Sequence, residues 1–201
     1  MGKLYKTTFC WEEFIEEPEL PILKTTIHCI GDCLTAGLWV AEDKSYPSML
    51  KDRMGDNFRV RNYGRTMLRL SHLASYKDLF TEHIKNPDDI VIIWAGTNDL
   101  FTGGSAKTAL ENLAEFYEVV REKTSNIFIA TIIKRIAHAS YPNFEKERFL
   151  FNRTLSPVFD DKVINLDNIS VTRNYKKDKT HLSEKGYYKV ADYIYKCLTK
   201  T

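Results

Sequence analysis

The feature that most constrains this 201-residue chain is a run with no charged residue and only two polar ones, Asn126-Ile127-Phe128-Ile129-Ala130-Thr131-Ile132-Ile133. A strand with one face in water alternates apolar and polar positions. A strand apolar on both parities must be covered on both faces, which is the condition of a buried parallel sheet. Four further β-branched or apolar runs of strand length occupy residues 25–31, 57–62, 89–95 and 163–167. Segments with helical spacing lie between and after them, at about 46–54, 67–82, 107–123, 143–159 and 183–198. In the third of these, Leu110, Leu113, Ala114, Tyr117 and Val120 form the stripe expected to face the sheet. Ser183 is the expected N-cap of the last helix, with Glu184 suited to its dipole. Alternation of strand and helix predicts a three-layer α/β/α fold around a five-stranded parallel sheet.

A chain that is 43% hydrophobic and 28% charged can bury one full core, so residues 25–201 are expected to form a single catalytic domain. Residues 1–24 read as an N-terminal strap, anchored by Trp11, Phe14 and Ile15 and interrupted by Pro18 and Pro21. Twenty-nine basic against 27 acidic residues give a net charge of +2, which argues against a nucleic-acid partner. No apolar stretch is long enough to span a membrane or to act as a signal peptide, so a cytoplasmic location is expected. Cys10, Cys29, Cys33 and Cys197 match neither a disulfide framework nor a zinc pattern, and neither a metal nor a cofactor is expected.

In an open parallel sheet, ligands bind beyond the carboxyl ends of the strands, where successive loops converge. Four motifs fall in those loops. Gly31-Asp32-Cys33-Leu34 follows the first run and Asn62-Tyr63-Gly64 the second. Ala95-Gly96-Thr97-Asn98-Asp99 follows the third, and Asp178-Lys179-Thr180-His181 comes after the fifth. A thiol that attacks an acyl carbon must lose a proton, which a neutral imidazole can accept and later hand to the leaving group. A carboxylate on the far ring nitrogen holds the required tautomer and steadies the imidazolium. Cys33, His181 and Asp178 supply these three groups.

The same four segments, in order and over roughly residues 25–199, resemble the SGNH (GDSL) hydrolases, with Cys33 where that family carries its nucleophilic serine. The resemblance implies a flavodoxin-like sheet. It also implies an oxyanion hole built from the backbone N–H groups of Cys33 and Gly64 and the side-chain amide of Asn98. The implied activity is hydrolysis of small or medium acyl esters or thioesters through an acyl-enzyme on Cys33, without a cofactor. Ser45-Tyr46-Pro47 is similar to the short-chain esterase and thioesterase members. The cysteine leaves three readings: a natural thiol hydrolase, a serine-shaped site slowed by sulfur, and a pseudoenzyme that binds an acylated ligand. Acyl transfer to an alcohol or amine is a further alternative. A helix N-terminus and His181 are expected to lower the Cys33 pKa, against the opposing charge of Asp32. Gly64 has a rival role as a plain turn glycine and Asn98 as a cap. Asp32 and Asp99 are expected to tie down their own turns. His28, His72, His83 and His138 read as ordinary residues, and Lys134, Arg135 and His138 as a solvated basic loop near the same rim.

Overall fold

The computed structural model describes residues 24–135, 143–159 and 162–200. The expected strap with Trp11, Phe14, Ile15, Pro18 and Pro21 lies outside the described residues, as do Cys10 and His138. Five strands, β1 (Thr25–Gly31), β2 (Phe58–Gly64), β3 (Ile90–Trp94), β4 (Asn126–Ala130) and β5 (Val163–Ile164), form one sheet in the order β2-β1-β3-β4-β5. Every pairing is parallel. This is the flavodoxin-like winding, whose strand order reverses between β1 and β3.

Side chains of alternate parity go to the two faces. Ile30, Val91, Ile93, Ile127 and Ile129 pack on one side with α3 (Leu70–Ser75), α4 (Lys77–Thr81), α6 (Ala106–Arg121) and α7 (Phe144–Phe159). Ile27, Cys29, Ile92, Trp94, Ala130 and Ile164 pack on the other with α2 (Tyr46–Met54) and α8 (Glu184–Leu198). Two short helices, α1 (Cys33–Ala36) and α5 (Thr97–Phe101), sit at the carboxyl ends of β1 and β3. No helix among the described residues is long and apolar enough to cross a membrane.

Four sequence expectations are corrected. The 126–133 run leaves the ladder after Ala130, because the Asn152 side-chain amide takes both the N–H and the C=O of Ile132, each at 2.9 Å. The run at 163–167 pairs only as Val163–Ile164, after which Leu166 N–H donates to Thr131 Oγ1 instead of to a strand. The helix expected over 67–82 is two helices, since Met67 has φ +62° and Tyr76 (φ −118°, ψ 35°) breaks the spiral. In α6 the buried stripe is Ala106, Ala109, Leu113, Phe116 and Val120, rotated from the expected one. Leu110 and Ala114 instead line an apolar groove beside α7, together with Leu150 and Val158.

Candidate active site

The loop between the short helical turn Thr172–Asn174 and α8 is closed on itself before it presents any side chain outward. Tyr175 bridges Leu182, Lys176 N–H donates to His181 O at 2.8 Å, and Ser183 N–H donates to Asn174 O at 2.8 Å. Asp178 Oδ1 accepts the N–H groups of Thr180 and His181, each at 3.0 Å, which turns the chain back on itself. The other oxygen, Oδ2, lies 2.6 Å from His181 Nδ1. Burial alone would raise the Asp178 pKa, but the His181 ring and the two backbone N–H groups bring it below the ordinary value. An ionised carboxylate only accepts, so Nδ1 carries a proton, and in the neutral imidazole that tautomer leaves the lone pair on Nε2. That nitrogen faces Cys33 Sγ at 3.3 Å.

Cys33 opens α1 directly above the end of β1. Asp32 caps the helix by accepting Leu34 N–H at 2.9 Å, and Gly37, at φ +76°, closes it in the left-handed conformation that glycine tolerates. The thiol is buried, and burial with the Asp32 charge pushes its pKa well above the ordinary thiol range. Its own N–H, that of Leu34 and the Arg135 charge act in the lowering direction and are outweighed. The expected lowering by the helix end is therefore outweighed by burial and the Asp32 charge. Asp32 is itself pushed up to about 7, by burial first and by Asp99 second, against hydrogen bonds from Leu34 N–H and Thr97.

Gly64 ends β2, paired in register with Gly31. A Cβ here would lie 2.1 Å from Ala36 N, so only glycine lets β2 approach α1 this closely. Its N–H donates to Asn62 Oδ1 at 2.9 Å. Asn98, in α5, is buried and gives one amide hydrogen to Leu68 O at 2.9 Å, which fixes the plane of the carboxamide and leaves a second N–H to donate. Asp99 corrects its expected role. Both of its oxygens accept Leu70 N–H, at 3.1 and 2.9 Å, so it caps α3 across the rim rather than its own turn.

Arg135 departs from the solvated loop expected of it. Its Nε and Nη2 donate to Thr180 Oγ1, at 3.1 and 2.8 Å, and its guanidinium lies 3.9 Å over the Phe101 ring. It thus spans from the loop of His181 to the helix of Asn98. Lys134 is pinned through its backbone, its N–H to Ser170 Oγ at 3.0 Å and its carbonyl by the Tyr175 hydroxyl. Trp39, which the motifs do not mark, sets its ring edge-on to the His181 imidazole at 6.4 Å, and Lys176 Nζ donates to its carbonyl. Ser45 and Tyr46 belong to the framework: Ser45 caps α2, and Tyr46 is buried edge-on to Trp94. His72 accepts Arg69 N–H at 3.3 Å, and His83 stacks on Tyr63. No cluster among the described residues could hold a metal ion.

The model of the GDSL-like lipase/acylhydrolase family matches residues 29–189. No curated protein matches the sequence significantly. Among solved structures, a member of the lipolytic G-D-S-L family from Veillonella parvula superposes with TM-score 0.78 at 18% identity, covering 88% of this chain and 100% of its own. The psychrotrophic esterase EstA from Pseudoalteromonas sp., in a structure inhibited by monoethylphosphonate, gives TM-score 0.72 at 18% identity, with 88% and 98% covered. A carbohydrate acetylesterase family member from Sinorhizobium meliloti gives 0.72 at 19% identity, with 87% and 97% covered.

Proposed function

This chain belongs to the GDSL-like lipase/acylhydrolase family and is an enzyme of that esterase type, and we propose that it hydrolyses small acyl thioesters and esters through an acyl-enzyme on Cys33. The observation that carries the reading is the succession Asp178 Oδ2, His181 Nδ1, His181 Nε2 and Cys33 Sγ, with contacts of 2.6 and 3.3 Å at its two ends. His181 takes the thiol proton as sulfur attacks, the S–C bond forms, and the carbonyl oxygen becomes an oxyanion. Cys33 N–H and the second Asn98 N–H receive it, and Gly64 N–H joins by exchanging Asn62 Oδ1 for the oxyanion. The imidazolium then protonates the departing sulfur or oxygen as the bond to carbon breaks. In the second half, water gives its proton to His181 and attacks the acyl carbon, and Cys33 leaves with that proton.

Sulfur biases the choice of substrate. From the tetrahedral intermediate a thiolate leaves more readily than an alkoxide, so an alkyl ester tends to fall back to starting material. A thioester or aryl ester, whose leaving group is as acidic as the thiol, goes forward. The buried, neutral thiol beside Asp32 favours a general-base site of serine type over a preformed thiolate pair, and so supports a second reading, a serine-shaped site in which the acyl-enzyme turns over slowly. The free thiols of Cys29, Cys33 and Cys197 support a reducing, cytoplasmic setting.

The test is mass spectrometry after treatment with a short-chain acyl thioester. One adduct on Cys33 is expected, and adducts confined to Cys10, Cys29 or Cys197 overturn the assignment. Cys33→Ser is expected to raise turnover of alkyl esters by ~10²-fold, because oxygen restores the attacking distance and removes the unfavourable partition. A fall would mark a site adapted to sulfur.

A further inference from the structure

Three non-glycine residues among those described have positive φ: Trp39 at +71°, Met67 at +62° and Lys179 at +55°. They sit on the loops that carry Cys33, Gly64 and the Asp178–His181 pair. Backbone in this region costs an ordinary side chain roughly 1 kcal/mol, and such strain collects where a side chain is held for use. Trp39 and Met67 are also large apolar residues left in water, 51% and 47% exposed. Met67 adjoins Leu68, the residue that orients Asn98, and so stands on the oxyanion side. Trp39 stands on the side of the base.

We propose that Trp39 is the leaving-group subsite, selecting substrates whose departing thiol or alcohol carries a flat apolar ring. The inference rests on the acyl-transfer reading above. The departing atom must lie beside His181 Nε2 to receive its proton. Cys33 Sγ and the oxyanion donors occupy the inner side of the reacting carbon, so the substituent on that atom extends outward past the imidazole. There it meets an indole whose ring centroid is 6.4 Å from that of His181 at an interplanar angle of 76°. Lys176, on the loop that carries His181, donates to the Trp39 carbonyl, which ties the backbone under the indole to the loop of the imidazole while the ring stays half-exposed. An aromatic face offers a ring contact area together with a geometric preference that a linear chain does not receive.

S-benzyl and S-ethyl thioacetate test this, because both yield the same acetyl-Cys33 and differ only in the thiol that leaves. The readout is the ratio of their kcat/KM values for thiol release, which reports acylation. The parent is expected to prefer the benzyl thioester, and Trp39→Ala to lower that ratio ~10-fold, whatever happens to the two rates together. Trp39→Phe should recover most of the ratio. Phe149→Ala, which removes an exposed aromatic on α7, should leave it as in the parent. If Trp39→Ala does not fold, Trp39→Leu, apolar but not flat, carries the same expectation. An unchanged ratio in Trp39→Ala or Trp39→Leu, or a parent without benzyl preference, overturns the subsite. A parent that releases neither thiol and gains no acetyl group on Cys33 overturns the acyl-transfer reading, and the subsite with it.

Discussion

Among the described residues, two histidine–aspartate pairs look alike as chemistry and differ in what surrounds them. His28 Nε2 lies 3.2 Å from Asp89 Oδ2, between the middle of β1 and the amino end of β3, with 1% and 4% of the side chains exposed. Asp89 also receives the N–H groups of Thr26 at 2.8 Å and of Lys85 and Asn86 at 3.3 Å. The His28 ring stacks on Tyr63 at 5.6 Å, and its second nitrogen, Nδ1, has no partner among the described residues. The His181–Asp178 pair is at the opposite end of the sheet, shorter and open to solvent, and its second nitrogen points at a thiol. Orientation by a carboxylate is common to both. What sets the proposed base apart is the group in front of its second nitrogen and a path for substrate to reach it; the other pair is a clasp between the middle of β1 and the start of β3.

The sharpest way to break this comparison is to delete each imidazole. His181→Ala is expected to slow Cys33 acylation by ~10²–10⁴ at neutral pH with little change in stability. Because burial and Asp32 hold the thiol pKa above its ordinary range, raising the pH to about 9.5 should restore only part of the rate. His28→Ala should do the reverse, costing roughly 2–4 kcal/mol in urea unfolding through a cavity and a stranded Asp89 while each folded molecule acylates nearly as the parent does. Exchanged outcomes would mean that the wrong pair has been assigned to catalysis.

Replacing the carboxylates should separate the pairs less widely. Asp178→Asn removes the acceptor that holds the Nδ1–H tautomer and should lower acylation by ~10²–10³. Asp89→Asn should cost about 1–3 kcal/mol in stability instead. The pH dependence gives the sign. Burial would raise Asp89, but His28 and the backbone N–H groups bring it below the ordinary carboxylate value of 3.8. Its contribution is therefore fully present above that value and is lost as pH falls through the lower folded one. The gap between parent and Asp89→Asn should accordingly be full at neutral pH and close in strong acid.

Asp32 gives the smallest expected effect and the opposite sign. With a pKa raised from 3.8 to about 7, its stabilising contribution is complete below 3.8 and disappears as pH rises through 7. Asp32→Asn keeps an oxygen for Leu34 N–H and loses the charge. The variant should gain on the order of 1–2 kcal/mol relative to the parent between pH 5 and pH 8, measured by urea unfolding at both values. Removing the anion beside Cys33 should also lower the thiol pKa, read as a few-fold faster alkylation by iodoacetamide at pH 8. A variant that alkylates more slowly would show that Asp32 does not hold the thiol neutral.

The sheet was legible because burial on both faces leaves its mark residue by residue: β1 spans the 25–31 run, and β4 begins at Asn126 as the apolar run does. The ends were less legible, because they are decided by partners far along the chain. The amide that ends β4 belongs to Asn152, and the carboxylate that starts α3 to Asp99. In the site, Cys33, Asp178, His181 and Asn98 announced themselves by residue type and by place after a strand. Arg135 and Trp39 did not. Neither belongs to a motif, and each matters through one neighbour, Thr180 for the first and the His181 ring for the second.

The sequence by itself determined the parallel sheet, the rim where four motifs meet, and the residue types gathered there. Periodicity and chain order are local properties, written in neighbouring residues. Only the tertiary structure decided which histidine faces the Cys33 thiol, that burial and Asp32 push the pKa of that thiol up, that Gly64 N–H already has a partner, and that a tryptophan at positive φ flanks the His181 ring. Each of these depends on distances across the fold and on exclusion of water, and such quantities exist only once distant segments have packed together.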